Sequence, residues 1–151
     1  MSAISRYAGG VVPKTRYHYY AGTEALLPGY AMCFDTAAAN AAATEEQSRL
    51  GNLVTKPATA NLTAFAGIVA PGSGITGPGY VKLIVPERGT CVDAFVGSNT
   101  TVNATALAPT DGQWYLAAHS DATLNLNMVA SAMETDATLG ATPANTQVYL
   151  R

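Results

Sequence analysis

Ionic side chains are scarce in this sequence. Charged residues make up 12 % of the 151 positions, about half of the roughly 25 % usual in soluble domains. The 8 Lys+Arg against 10 Asp+Glu leave a net charge of -2. The cations are scattered singly from Arg6 to Arg151, with no basic stripe to neutralise phosphates, which excludes nucleic acid as a partner. Cysteine is limited to Cys33 and Cys91. Residues 1–16 lack the charged start and following apolar stretch of a secretory signal, so the expectation is synthesis in the cytoplasm and two unbridged, buried thiols. No apolar run approaches the roughly 18 residues of a membrane-spanning helix, which removes that class. Histidine occurs only at His18 and His119, and no His, Cys or carboxylate pair recurs at ligand spacing, so neither a metal nor a cofactor is expected.

Small and hydroxyl-bearing residues take the place of the missing charges, with 28 Ala, 18 Thr and 14 Gly. The resulting surface is polar but weakly charged. From Gly51 onward, short β-type runs separated by Gly, Pro, Asn and Asp recur about every ten residues, the pattern of a sandwich or barrel. The runs are Leu62–Val69, Tyr80–Val85, Thr90–Val96, Thr101–Leu107, Gln113–Ala118, Ala122–Ala132 and Thr146–Leu150. Pro71, Pro78, Pro86, Pro109 and Pro143 fall between them, where a missing N–H harms no ladder. Tyr30, Met32 and Phe34 alternate with Ala31, Cys33 and Asp35 and predict one further strand after the Pro28-Gly29 turn. Thr36 is an N-cap candidate for the Ala-rich run Ala37–Leu50, which Gly51 would stop; that run reads equally as one short helix or as a loop. The fold expected is mainly β, a compact sandwich or barrel of about seven or eight strands. Phe65–Ala70 followed by Val81–Val85 is echoed by Met128–Met133 followed by Gln147–Leu150, two similar hairpin-like units.

The first 23 residues read differently. Gly9-Gly10, Pro13 and Gly22 break any period, and Tyr7, Tyr17, Tyr19 and Tyr20 carry the apolar area. The expectation is an extended arm over 1–23 ahead of a single β domain over 24–151. Such an arm would reach about 70 Å at roughly 3.3 Å per residue, far enough to touch a neighbour. Tyr7, Arg16, Tyr17, Tyr19 and Tyr20 are then the candidate contact residues. The competing reading of Arg16-Tyr17-His18-Tyr19-Tyr20 is an edge strand whose rings pack locally.

Motifs of catalysis fail in context. Gly72-Ser73-Gly74-Ile75-Thr76-Gly77 spells G-x-G-x-x-G, but Pro78-Gly79 and a β-type run follow where a phosphate-binding helix would have to start. His119-Ser120-Asp121 has the residue types of a hydrolytic triad, yet three adjacent side chains cannot adopt its geometry. Neither cysteine is flanked by residues that would lower a thiol pKa. No enzyme is expected and no catalytic residue is assigned. Trp114-Tyr115 suits sugar stacking, but a single Trp is more commonly in the core.

The segment FAGIVAPGSGITGPGYVKLIVPERGTCVDAFV, Phe65–Val96, resembles the capsid cement (decoration) proteins of tailed bacteriophages. Its features are a Phe-Ala-Gly-Ile-Val strand, a Gly-rich spacer, an alternating strand, and Pro86-Glu87-Arg88-Gly89-Thr90 leading into another strand. The ending Met128–Glu134 followed by Gln147–Arg151, and the step Leu27-Pro28-Gly29-Tyr30, are also similar; Ala37–Leu50 and the Tyr-rich start depart from it. The resemblance implies a non-enzymatic virion protein on the capsid exterior, made in the host cytoplasm. Its implied partners are the major capsid protein and copies of itself, most often as a homotrimer, and its task is clamping neighbouring capsomers. The alternative is a carbohydrate- or receptor-binding β module of a tail fibre or surface structure, motivated by Trp114 and Tyr115. A hydrolase using Cys33 or Cys91 with His119 ranks last.

Overall fold

The computed structural model describes residues 13–36, 53–119 and 128–151. These form twelve strands and a single 3-10 turn, Thr59–Asn61. In chain order the strands are β1 (Thr15–Tyr20), β2 (Ala25–Leu26), β3 (Ala31–Phe34), β4 (Leu53–Thr55), β5 (Phe65–Val69), β6 (Ile75–Thr76), β7 (Gly79–Ile84), β8 (Cys91–Val96), β9 (Ala106–Pro109), β10 (Leu116–Ala118), β11 (Ala130–Ala132) and β12 (Ala144–Leu150). The protein is mainly β and barrel-like, but twelve strands replace the seven or eight expected. The surplus is β1, which the sequence placed in an arm, and β2, β4 and β6, two or three residues long and too short to show a period of two in sequence. Ala37–Leu50 lies outside the described residues.

The strands close into two five-stranded barrels, β1-β4-β3-β5-β7 and β10-β8-β12-β11-β9, while β2 and β6 pair separately. The two barrels have one connectivity, traversed twice along the chain. In each, the first strand pairs antiparallel with the fifth over six positions and parallel with the third. The second pairs antiparallel with the third and the fourth, and the fourth with the fifth. The echo in the sequence corresponds to β5/β7 in the first barrel and β11/β12 in the second. An internal duplication therefore organises the chain, although its short strands kept it from view.

Alternation decides which residues fill each barrel. In β8 and β12, Val92, Ala94, Val96, Thr146, Val148 and Leu150 point inward and are buried. In β5 a simple alternation fails. Met32 pairs with Gly67 but Cys33 with Phe65, so one residue is skipped and the strand bulges. The bulge resets the phase: Ala66 and Val69 join the interior of the first barrel, whereas Phe65 and Ile68 turn to the core shared with the second. Gly67 has φ +146°, and a Cβ there would run into the Ile84 carbonyl oxygen, so only glycine serves.

The core of the second barrel continues into the first without a break, because Ala31, Ile68 and Ile84 pack in one cluster with Val92, Leu107, Leu116, Val148 and Leu150. The Pro28-Gly29 turn rivets the junction. The Gly29 N–H donates to the Val69 carbonyl at 2.9 Å, and its own carbonyl accepts from the Phe95 N–H at 2.8 Å. Asn145 Nδ2 donates to the Pro28 carbonyl at 3.2 Å. Gly29 has φ +96°, which again selects glycine.

An arm over residues 1–23 is corrected by β1. Thr15–Tyr20 is a full barrel strand held between β7 and β4. The reason is its period of two: His18 and Tyr20 are buried, with the His18 ring edge-on to Phe34 at 5.5 Å, while Tyr17 is exposed and Tyr19 half-buried. Residues 1–12 lie outside the described residues.

Candidate interaction surface

The outer faces of β1 and β7 meet in register, Tyr17 opposite Lys82 and Tyr19 opposite Tyr80. Directly opposed side chains on one face of a ladder are close enough to interact. The Tyr19 and Tyr80 rings meet edge to face at 5.3 Å, and the Lys82 ammonium sits 5.4 Å from the Tyr17 ring centre, a cation–π contact worth about 0.5–1 kcal/mol at an exposed site. Tyr17 nevertheless remains 61 % and Tyr80 54 % exposed. Single exposed apolar residues need no explanation, but adjacent ones forming a patch mark interaction surfaces. Arg16 and Lys14 are exposed beside it, and Lys14 is paired with Glu87 at 2.9 Å.

Of the residues nominated from sequence, Tyr17 and Tyr19 belong to this patch and Arg16 lies next to it. Tyr20 does not: it is 4 % exposed and packs in the first barrel, because it shares the inward phase of β1 with His18. Burial pushes its phenol pKa up, partly offset by a backbone hydrogen bond with Glu24. Tyr7 lies outside the described residues. Tyr80 and Lys82 were not nominated. Their outward phase was readable from Tyr80-Val81-Lys82-Leu83, but their partnership with β1, more than 60 positions away, was not.

A second aromatic group closes the junction between the barrels. Tyr30 stacks on Trp114 at 5.4 Å and 12°, Tyr20 meets Trp114 edge-on at 6.1 Å, and Phe95 lies 5.3 Å from Tyr30 and 6.2 Å from Tyr115. Trp114 Nε1 donates to Glu24 Oε2 at 2.9 Å, Lys56 pairs with the same oxygen at 2.9 Å, and the Lys56 ammonium is 4.9 Å from the Trp114 ring centre. The Lys56 and Trp114 donors hold the exposed Glu24 carboxyl below its ordinary pKa. Trp114 is thus engaged by protein on its ring and its N–H, so its role is structural. Leu27, Pro28, Tyr30, Phe95 and Asn145 border an open cleft beside this seam.

The catalytic motifs resolve into scaffold. Gly72 and Gly77 adopt φ +74° and +78° with open space around them, and the run between them supplies β6 before β7 begins, not a helix. Cys33 and Cys91 form no disulfide. Cys33 is fully buried, and desolvation pushes its thiol up to about 12, so it is no nucleophile at neutral pH. Cys91 is half-buried with Sγ 3.2 Å from Met133 Sδ. His119 follows β10, and its N–H donates to the Ala106 carbonyl; Ser120 and Asp121 lie outside the described residues.

No family model matches the chain, and no curated protein matches it. The resemblance to cement proteins is therefore not carried by any family match. Among solved structures, the N base of the head fiber gp8.5 in bacteriophage phi29 is similar in fold, with a TM-score of 0.56 at 8 % identity, over 91 % of this chain and 95 % of that one.

Proposed function

We propose that this protein is a non-enzymatic structural component of a phage virion, attached to the outside of the head through the Tyr17, Tyr19 and Tyr80 face of the first barrel. The observation that supports this most is the likeness to the phi29 head fiber base, which spans nearly the whole of both chains. The likeness in fold takes in 91 % of this chain and so extends over both barrels. The low ionic content fits attachment, since a weakly charged face is covered by another protein without desolvating many ions. The finer reading is a decoration protein that binds the major capsid protein, self-associates as a homotrimer and bridges neighbouring capsomers. Many identical sites on a shell turn modest single contacts into strong avidity.

Co-sedimentation of the purified chain with expanded heads, followed by electron microscopy of the decorated particle, tests this. Attachment that persists in about 1 M salt is expected, because the face is led by tyrosine rings and its cations Lys82 and Lys14 are already engaged by Tyr17 and Glu87. A chain that stays monomeric by light scattering and does not sediment with heads overturns the proposal. Removing residues 1–12 tests an arm cleanly and is expected to weaken attachment while the far-ultraviolet spectrum is retained. Removing 1–23 would also extract β1 and unfold the first barrel.

A further inference from the structure

On the second barrel a pocket of about 270 Å³ is lined by Arg88, Gly89, Asn103, Ser131, Tyr149 and Arg151, together with Leu150. Two of the chain's arginines thus share one cavity, and no Asp or Glu lines it. Among the described residues Arg88 makes no ion pair, and the hydrogen bond of Arg151 runs from Nη1 to Met128 Sδ at 3.2 Å, a weak acceptor for a guanidinium. Two like charges brought to one cavity repel each other. An oxyanion between them reverses the sign of that energy, because the planar fork of arginine matches carboxylate and phosphate oxygens.

The frame around the pocket is fixed. Ser131 and Tyr149 are paired across β11 and β12, the Gly89 N–H donates to the Leu150 carbonyl at 2.8 Å, and the Asn103 N–H donates to the Ala132 carbonyl at 2.9 Å. Asn103 has φ 59°, alone among the described non-glycine residues in being positive. Its turn is held by the Thr101 N–H on Thr105 Oγ1 at 2.8 Å and the Val102 N–H on Thr135 Oγ1 at 3.0 Å. Asparagine takes this left-handed conformation more readily than other non-glycine residues, so the turn holds its edge of the pocket in place without strain.

We propose that this pocket binds one oxyanion of the carboxylate or phosphate class between Arg88 and Arg151, with the Ser131 and Tyr149 hydroxyls as further donors. Its volume is below that of pockets for drug-sized ligands, roughly 300–1,000 Å³, so it suits one anionic group, either a free ion or an acidic side chain presented by another polypeptide. The assignment does not depend on attachment to a phage head.

The test is a nuclear magnetic resonance titration of the full chain at constant ionic strength, following the Gly89, Asn103 and Ser131 amides. One arm adds inorganic phosphate and the other a blocked hexapeptide of alternating Asp and Ser. Saturable shifts are expected, weakened about tenfold or more in the R88Q/R151Q variant, whose fold is safeguarded by the exposure of both side chains. Saturation by phosphate alone supports the site with a free ion as occupant; tighter saturation by the peptide supports it with a partner's carboxylate. Amides unmoved by both probes, or shifts that persist undiminished in R88Q/R151Q, overturn the proposal.

Discussion

On the first barrel, the opening and closing strands present Tyr17, Tyr19, Tyr80 and Lys82 to the outside. The equivalent pair on the second barrel, β8 and β12, has Cys91 opposite Tyr149, Asp93 opposite Gln147 and Phe95 opposite Asn145. Its one large aromatic at the junction, Phe95, is covered by Tyr30 and Tyr115. One ladder geometry thus carries two different exteriors. The inward positions of both repeats fill a narrow barrel, with small and branched side chains in the second and with His18, Tyr20 and Met32 beside branched ones in the first, while the outward positions are released from that demand. The first repeat uses that release for an exposed aromatic face. The second spends one end of its ladder on the junction and, apart from Tyr149 at the other end, keeps a polar surface between them.

The comparison is sharpened first at β5, where the first repeat bulges and the second has no glycine in β11. Gly67→Ala combines a positive φ with a collision against the Ile84 carbonyl and is expected to cost about 3 kcal/mol or more by urea unfolding. Ser131→Ala in β11 is expected to shift stability by less than about 0.5 kcal/mol. Ile84 belongs to the first barrel but packs in the core of the second. Ile84→Ala should therefore cost about 2–4 kcal/mol in one cooperative transition, superimposable by Trp114 fluorescence and circular dichroism; two separated transitions would show that the barrels fold independently. A third contrast concerns the exteriors: Tyr17→Ser with Tyr80→Ser should reduce head attachment about tenfold or more, against less than about twofold for Gln147→Ser. The smallest effect is at Glu24. Its lowered pKa means that the contacts with Lys56 and Trp114 stabilise the fold above the ordinary carboxylate value of about 4.3 and are lost as pH falls through the lowered one. Because the carboxylate is exposed, the stability change is slight. Trp114 emission should report it with a midpoint below that ordinary value, and the step should vanish in Glu24→Gln.

Strands such as β7, β8 and β12 were legible because six or seven residues of alternation lie between Gly, Pro and Asp, as in Tyr80-Val81-Lys82-Leu83 and Val92-Asp93-Ala94-Phe95-Val96. β4 and β6 were not, since two or three residues carry no period. The cluster of tyrosines at 17–20 is visible as a group, but an arm and an edge strand stay level as its readings, because glycines and a proline flank so short an alternation. Which tyrosine faces outward depended on that alternation, and Tyr20 was misplaced with it. Tyr80 and Lys82 entered the patch only through a pairing between distant segments, which a local pattern does not encode. The duplication was half legible: the strongest strand pair of each repeat left an echo, while the three weaker strands of each did not.

Closure of both rings has one further effect. Each of the ten ring strands has a hydrogen-bonded neighbour on either side, and although the parallel contacts are short, two positions between β1 and β4 and one between β8 and β10, ring closure shortens the backbone edges on which a passing chain can nucleate a fibril. With the edges of the described strands shortened in this way, copies held at high local density meet chiefly through side chains.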